Sequence, residues 1–163
     1  MKRFSIRKAT DSEGDIALIA PMFDLYRQFY GKPADPKLAE TFIRDRLAAK
    51  ESVIFVAIAE SGSGGPGRDA TEAMGFVQLY PSFSSVSAFR LWVLNDLYVA
   101  PGARRSGVGR ALMEAARRHA IETGARRLTL ETVAENRAAW SLYEDLGYVV
   151  HDPSARFYTL DLD

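Results

Sequence analysis

Apolar and polar residues alternate in "RFSIRKAT" (3–10), with Phe4 and Ile6 on one side, and this period of two predicts an opening strand. The period then changes. Ser12 and Asp15 stand at capping-box spacing, and "IALIAPMFDLYRQFY" carries a helix to Gly31, with Pro21 inside it predicting a kink or two pieces. Asp35–Pro36, a cap followed by a first-turn proline, opens a second helix over "KLAETFIRDRLAAK". "SVIFVAIAE" (52–60) reads as a strand from its β-branched and aromatic content, "SGSGGPGRDATE" as a connection, and "AMGFVQLYPSF" as a strand ending near Pro81. "AFRLWVLNDLYV" (88–99) is almost continuously apolar, which predicts a strand covered on both faces. A helix follows Gly107 and stops at Gly124, "RRLTLETV" is a strand, "ENRAAWSLYEDLG" is a helix ending at Gly147, and "YVVH" and "RFYTLDL" close the chain as two strands.

The resulting order, β-α-α-β-β-β-α-β-α-β-β, puts hairpins in the middle and two helical crossovers late. That is a mixed α/β (α+β) sheet rather than a repeating βαβ array. About seven strands and four helices are expected, in one domain over residues 1–163, which a length of 163 and 47% hydrophobic composition can support.

Charge narrows the classes. Lys plus Arg equals Asp plus Glu at 21 each, which argues against a dedicated nucleic-acid binder. No apolar run approaches the ~20 residues of a bilayer span, and "MKRFSIRKATDSEGD" lacks the apolar stretch of a signal peptide, so no membrane role is expected. The absence of cysteine removes disulfides, thiolate metal sites and a cysteine-linked intermediate, and fits a reducing, cytoplasmic setting. His119 and His151 lie too far apart for H-x-x-x-H pairing, so no metal is expected.

"VAPGARRSGVGRALM" carries the first candidate chemistry. A helix start offers backbone N–H groups without intrahelical partners and a partial positive charge. Gly107 and Gly109 let an oxyanion approach, and Arg104, Arg105 and Arg110 add full charges, which suits a phosphate or pyrophosphate. The alternative is a basic loop with no ligand. Behind it, Val108, Leu112, Ala115 and His119 form an apolar stripe, with Arg110, Glu114 and Arg117 opposite. His119 therefore reads as a hydrogen-bonded core histidine, whereas His151 is given no catalytic part. "GSGGPG" (62–67) also matches G-x-G-x-x-G, but it holds a proline and opens no helix, and it reads as linker. A nucleotide-phosphate binder of another kind would need a P-loop lysine, which is missing.

"LNDLYVAPGARRSGVGRALMEAA" resembles the acyl-CoA-binding motif of the GNAT N-acetyltransferase superfamily, Q/R-x-x-G-x-G/A after a strand, met here by Arg104, Gly107 and Gly109. A second motif of that family is similar to "ENRAAWSLYEDLGY", with Asn136, Tyr143 and Gly147. Together they mark a CoA-binding core over about residues 88–148. "YRQFYG" with "LNDLYV" resembles the subgroup with histone- and polyamine-acetylating members.

The resemblance implies a central, mostly antiparallel GNAT-like sheet and transfer of an acetyl group from acetyl-CoA to a primary amine, with no metal. The acceptor, whether small amine, polyamine, amino acid or lysine or N-terminal amine, is left open. It implies that backbone of Arg104, Arg105, Ser106, Gly107, Val108, Gly109 and Arg110 holds the pyrophosphate and that Leu97, Tyr98 and Val99 pair with the pantetheine arm. Asn136 and Tyr143, seven residues apart on one helix face, would touch the cofactor, and Tyr143 would protonate the thiolate; Tyr143 could equally be a core tyrosine.

A base must deprotonate the ammonium, whose pKa is ~10.4 for a lysine-like amine. Asp96 is the first candidate, because a carboxylate in an apolar strand is costly unless paired or functional; the alternative is a structural bond to a loop or basic side chain. Some polyamine-acetylating relatives carry glutamate where Asn95 stands, and Glu131 is the reserve. Phe23, Tyr26, Phe29 and Tyr30 could cradle a cation or simply pack, and Trp140 reads as packing. Without cysteine, direct attack in a ternary complex is the simplest mechanism. The competing expectation is a non-catalytic acyl-CoA-binding regulatory module. A homodimer through the C-terminal strands is also expected.

Overall fold

The computed structural model describes residues 3–60, 72–133, 135–150, 159–160 and 162. Two compact units make up the chain, Met1–Glu131 and Thr132–Asp163. The first contains β1 (Phe4–Lys8), α1 (Glu13–Phe29), α2 (Pro36–Ala48), β2 (Val53–Ala59), β3 (Ala73–Ser84), β4 (Phe89–Val99), a 3-10 turn (Pro101–Ala103), α3 (Val108–Glu122) and β5 (Arg127–Thr129). The second contains α4 (Arg137–Asp145).

The strands lie in sequence order, β1-β2-β3-β4-β5. The first three junctions are antiparallel and β4–β5 is parallel, so the sheet is mixed, with five strands among the described residues. This corrects the expectation of about seven mostly antiparallel strands. Of the two closing strands, Tyr148–Val150 is irregular, and His151, most of "RFYTLDL" and the "GSGGPG" linker lie outside the described residues.

Local chemistry accounts for the helices. Ser12 Oγ accepts from Asp15 N–H (3.3 Å), but the Asp15 carboxylate does not return to Ser12. It accepts from Thr10 N–H (2.7 Å) and pairs with Arg7, which holds its carboxyl down at about 2. The box thus ties β1 to α1. Pro21 does not divide α1: it is exposed, and the Ala17 carbonyl it leaves without a helical partner belongs to an exposed residue, open to solvent. Asp35 accepts from Leu38 N–H (3.0 Å) to start α2 behind Pro36. Buried Asp24 accepts from Asp35 N–H (2.9 Å) and Arg27, locking the end of α1 to the start of α2.

One sheet face packs Ile54, Val56, Phe76 and Tyr98 against Ile16, Ile19 and Phe23 of α1 and Ile43 of α2. α3 covers the other, where His119 stands between Trp92 (4.9 Å) and Phe55 (5.6 Å). Its Nε2 is buried without a hydrogen-bond partner among the described residues, so His119 is a packed ring rather than the hydrogen-bonded one expected; burial lowers its pKa. β3 runs past Pro81 because β2 ends opposite Leu79, and a missing N–H costs no ladder bond on that free side. Gly75 has no room for a side chain: an added Cβ would stand 2.5 Å from the Tyr98 carbonyl and 3.2 Å from Val99 Cα. Both are backbone atoms, so β4 itself would have to move. Gly75→Ala is therefore expected to cost about 2 kcal/mol, read as a Tm about 5 °C lower in thermal denaturation.

Candidate active site

The β3–β4 register shifts once. Gln78 pairs with Asp96 and Leu79 with Leu94, so Asn95 is an extra residue bulged from β4. The bulge brings two consecutive side chains, Asn95 and Asp96, to one cleft of about 360 Å³. Phe23 and Tyr26 of α1 and Tyr30 just after it wall it, with Phe42 and Leu38 of α2 and Tyr80 of β3; Arg27 and Lys32 also line it.

Asp96 is only 3% exposed. Its Oδ2 accepts from Gln78 Nε2 (2.6 Å) and its Oδ1 from Asn95 Nδ2 (3.1 Å). Gln78 is fully buried, and the same Nε2 donates to Tyr80 Oη (2.9 Å). The Tyr26 hydroxyl donates to the Asn95 backbone carbonyl (3.4 Å). No cation pairs with Asp96 among the described residues. Burial pushes its carboxyl above the usual range, and the hydrogen bonds from Gln78 and Asn95 oppose this in part. Burial and the Asp96 charge push the Tyr80 phenol up to about 12 and the Tyr26 phenol higher still, so both keep their protons at neutral pH.

β4 also offers an open edge. β5 pairs with it only at Leu91–Val93, and among the described residues no strand pairs with that side from Leu94 to Val99. Ala100 N–H donates to Met74 of β3, so by alternation the backbone groups of Tyr98 face β3 and those of Leu97 and Val99 face the open side. The Val99 carbonyl accepts from Arg104 Nε (3.2 Å) there. Tyr98 contributes a core ring, 6.2 Å from Phe76.

The edge runs through the 3-10 turn into the start of α3. Arg105 (φ 59°) and Gly107 (φ 89°) are left-handed, and Ser106 Oγ donates to the Ala103 carbonyl (2.5 Å). Gly107 is the N-cap with no side-chain bond to the helix, and the first intrahelical bond is Ala111 N–H to the Gly107 carbonyl. The N–H groups of Val108 and Gly109 thus open from the helix start, with exposed Arg104, Arg105 and Arg110 about them.

The remaining expected residues fall elsewhere. Phe29 is 62% exposed and does not line the cleft, and Glu131 is exposed beyond the short β5, which ends at Thr129 rather than continuing through "ETV". Within its own unit, Asn136 is the N-cap of α4, Tyr143 is half-buried with its ring 6.1 Å from Tyr148, and Trp140 is 38% exposed rather than packed away. Gln78, Tyr80, Arg27 and Lys32 are cleft groups that sequence reasoning missed. Gln78 carried a signal, a lone polar residue in the apolar run "AMGFVQLY".

The chain belongs to the acetyltransferase (GNAT) family, whose family model matches residues 19–148. It is similar to an uncharacterized N-acetyltransferase, YhfO, of Bacillus subtilis (strain 168), 48% identical over 88% of this chain and 89% of that protein. It is also similar to the streptothricin acetyltransferase of Streptomyces lavendulae, 33% identical over 71% of this chain and 59% of that protein. The crystal structure of a probable acetyltransferase superposes with a TM-score of 0.81 at 38% identity, over 98% of each chain. Members of the family use acetyl-CoA. No helix among the described residues is long and apolar enough to cross a membrane.

Proposed function

We propose that this chain transfers an acetyl group from acetyl-CoA to a primary amine by direct attack in a ternary complex, as one N-acetyltransferase domain over residues 1–163. The observation that carries the reading is Asp96: a buried carboxylate without a cation partner among the described residues, lining a cleft beside a strand edge that none of those residues pairs with. When bound, acetyl-CoA supplies the activated acetyl thioester. The open-edge N–H groups of Leu97 and Val99 suit the amides of a pantetheine arm and an oxyanion on the carbonyl under attack. The turn from Arg104 to Arg110 suits a diphosphate, through the Val108 and Gly109 amides and the three arginines.

Asp96 takes the proton from the acceptor ammonium, and its raised pKa brings it closer to that of the amine. Tyr26 and Tyr80, protonated throughout, offer hydroxyls beside it. Asn136 as a cofactor contact and Tyr143 as proton donor to the sulfur rest on the second sequence motif. Tyr143→Phe is expected to lower kcat about 10- to 100-fold with acetyl-CoA affinity near that of wild type, measured by steady-state kinetics and calorimetry; unchanged turnover removes Tyr143 from the role.

Small amines, polyamines, amino acids and lysine or N-terminal amines all have the reacting group, and "YRQFYG" with "LNDLYV" keeps the histone- and polyamine-type subgroup among the candidates. A cytoplasmic homodimer completes the proposal, and sedimentation velocity tests the pairing. Acceptor-dependent release of CoA thiol is the decisive assay. Tight acetyl-CoA binding with no release toward any amine would favour the regulatory module.

A further inference from the structure

The cleft is lined by charges of opposite sign at different depths. Among the described residues Asp96 is its one acidic lining residue, and it is buried. Both basic lining residues, Arg27 and Lys32, come from the end of α1 and the segment just after it. Arg27 is partly neutralised by Asp24, 3.2 Å away, and that carboxylate is already engaged by Gln28 Nε2 (3.0 Å) and Asp35 N–H. Lys32 is exposed, and its ammonium has no ion pair among the described residues. Arg46 and Glu51 near Tyr80 pair with each other (2.6 Å) and cancel. The walls also carry apolar and aromatic side chains: Phe23, Tyr30, Leu38 and Phe42, with Phe23 and Phe42 stacked at 5.1 Å.

This pattern selects against a polycation. A polyamine with one amine at Asp96 would carry its next ammonium past an uncharged aromatic wall toward Lys32, where like charges repel. It favours an acceptor charged in the opposite sense at its two ends. We propose that the acceptor is an amino carboxylate: its amine faces Asp96, an apolar or aromatic body lies against Phe23, Leu38 and Phe42, and its carboxylate meets the Lys32 ammonium with help from Arg27. The assignment rests on the transferase reading above and narrows it.

The test is CoA-thiol release with matched pairs that differ only in the anion. L-phenylalanine and 3-amino-3-phenylpropanoate are each compared with their carboxamides and with the corresponding decarboxylated amines, and spermidine serves as the polycation. Rates are taken over a range of pH so that differences in amine pKa are removed. At least one amino carboxylate is expected to exceed its uncharged counterparts and spermidine about 10-fold or more in kcat/KM. Lys32→Glu is expected to lower that value about 10-fold and to raise the value for spermidine, while Lys32→Arg restores the carboxylate preference. Spermidine or the decarboxylated amines turning over faster than every carboxylate overturns the acceptor assignment and leaves the transferase intact, as does a preference insensitive to Lys32→Glu. No release with any amine, while acetyl-CoA binds by calorimetry, overturns the transferase reading and this assignment with it.

Discussion

Asp96→Asn is expected to make the protein more stable and nearly inactive. Asparagine keeps the size of the side chain and an oxygen to accept from Gln78 Nε2, so the β3–β4 pairing at Gln78–Asp96 survives. What disappears is a buried charge with no cation partner among the described residues, together with the acceptor for Asn95 Nδ2, whose exposed amide can turn its oxygen to the new NH2 group. Burial raises the folded-state pKa of Asp96 above its unfolded value. The contribution of such a group to stability is therefore greatest below its unfolded pKa and falls as pH rises through the folded one. The substituted amide does not titrate, so the variant gains on wild type as pH rises through the raised pKa of Asp96 and loses that advantage in acid. About 1 kcal/mol, a Tm gain of about 3 °C at neutral pH, is the scale for removing such a charge.

Activity moves the other way. Loss of a positioned base costs about 10²- to 10⁴-fold in kcat/KM. The residual rate should climb with pH to higher values than in wild type, because only the free amine in solution can then attack. Thermal melts across pH and a pH–rate profile check both halves. An Asp96 with a purely structural part gives the reverse pair: a lower Tm and an unchanged profile. Opposed changes in Tm and rate are what a site that holds a strained charge for chemistry should show.

The sequence made the elements readable wherever a local cause produces them. Ser12, Asp35–Pro36, Gly107 and Gly124 mark helix ends through backbone geometry that each segment carries in itself. The anion-facing turn was readable for the same reason, since glycine, arginine and a strand-to-helix handover are all local. What could not be read belongs to partners. The extra residue at Asn95 exists only relative to β3, and without it Asp96 is one more polar interruption in an apolar strand. Pro81 looked like an end because a proline disrupts a paired strand, but β2 had already stopped opposite Leu79. The Asp15 carboxylate, spaced for a reciprocal cap, went to Thr10 and Arg7 because β1 puts both within reach. The opposed charges of the cleft depend on the folding of α1 and α2 over β4, and no spacing in the chain reports that.

Charge reversal at the turn, Arg105→Glu with Arg110→Glu, should separate the ligand from the helix that would hold it. Both side chains are exposed, and neither is part of the buried core. A glutamate in place of Arg110, in the first turn, complements the positive end of α3, which in wild type has no acidic residue there, and this offsets the contact that Arg110 gives up. A diphosphate at the Val108 and Gly109 amides experiences the opposite effect, as two attractive charges become repulsive. At surface-like dielectric that amounts to about 3 kcal/mol in all, or about 100-fold in affinity. Calorimetry with acetyl-CoA at low salt is expected to show that loss with Tm unchanged or raised, and the gap between variant and wild type should narrow as salt screens the charges. Binding that survives the double reversal would remove the anion from this helix start. A loss of binding accompanied by a collapse in Tm would instead assign the arginines to the stability of α3. The informative result is the divergence, because fold and ligand make contrary demands on the charge at this one turn.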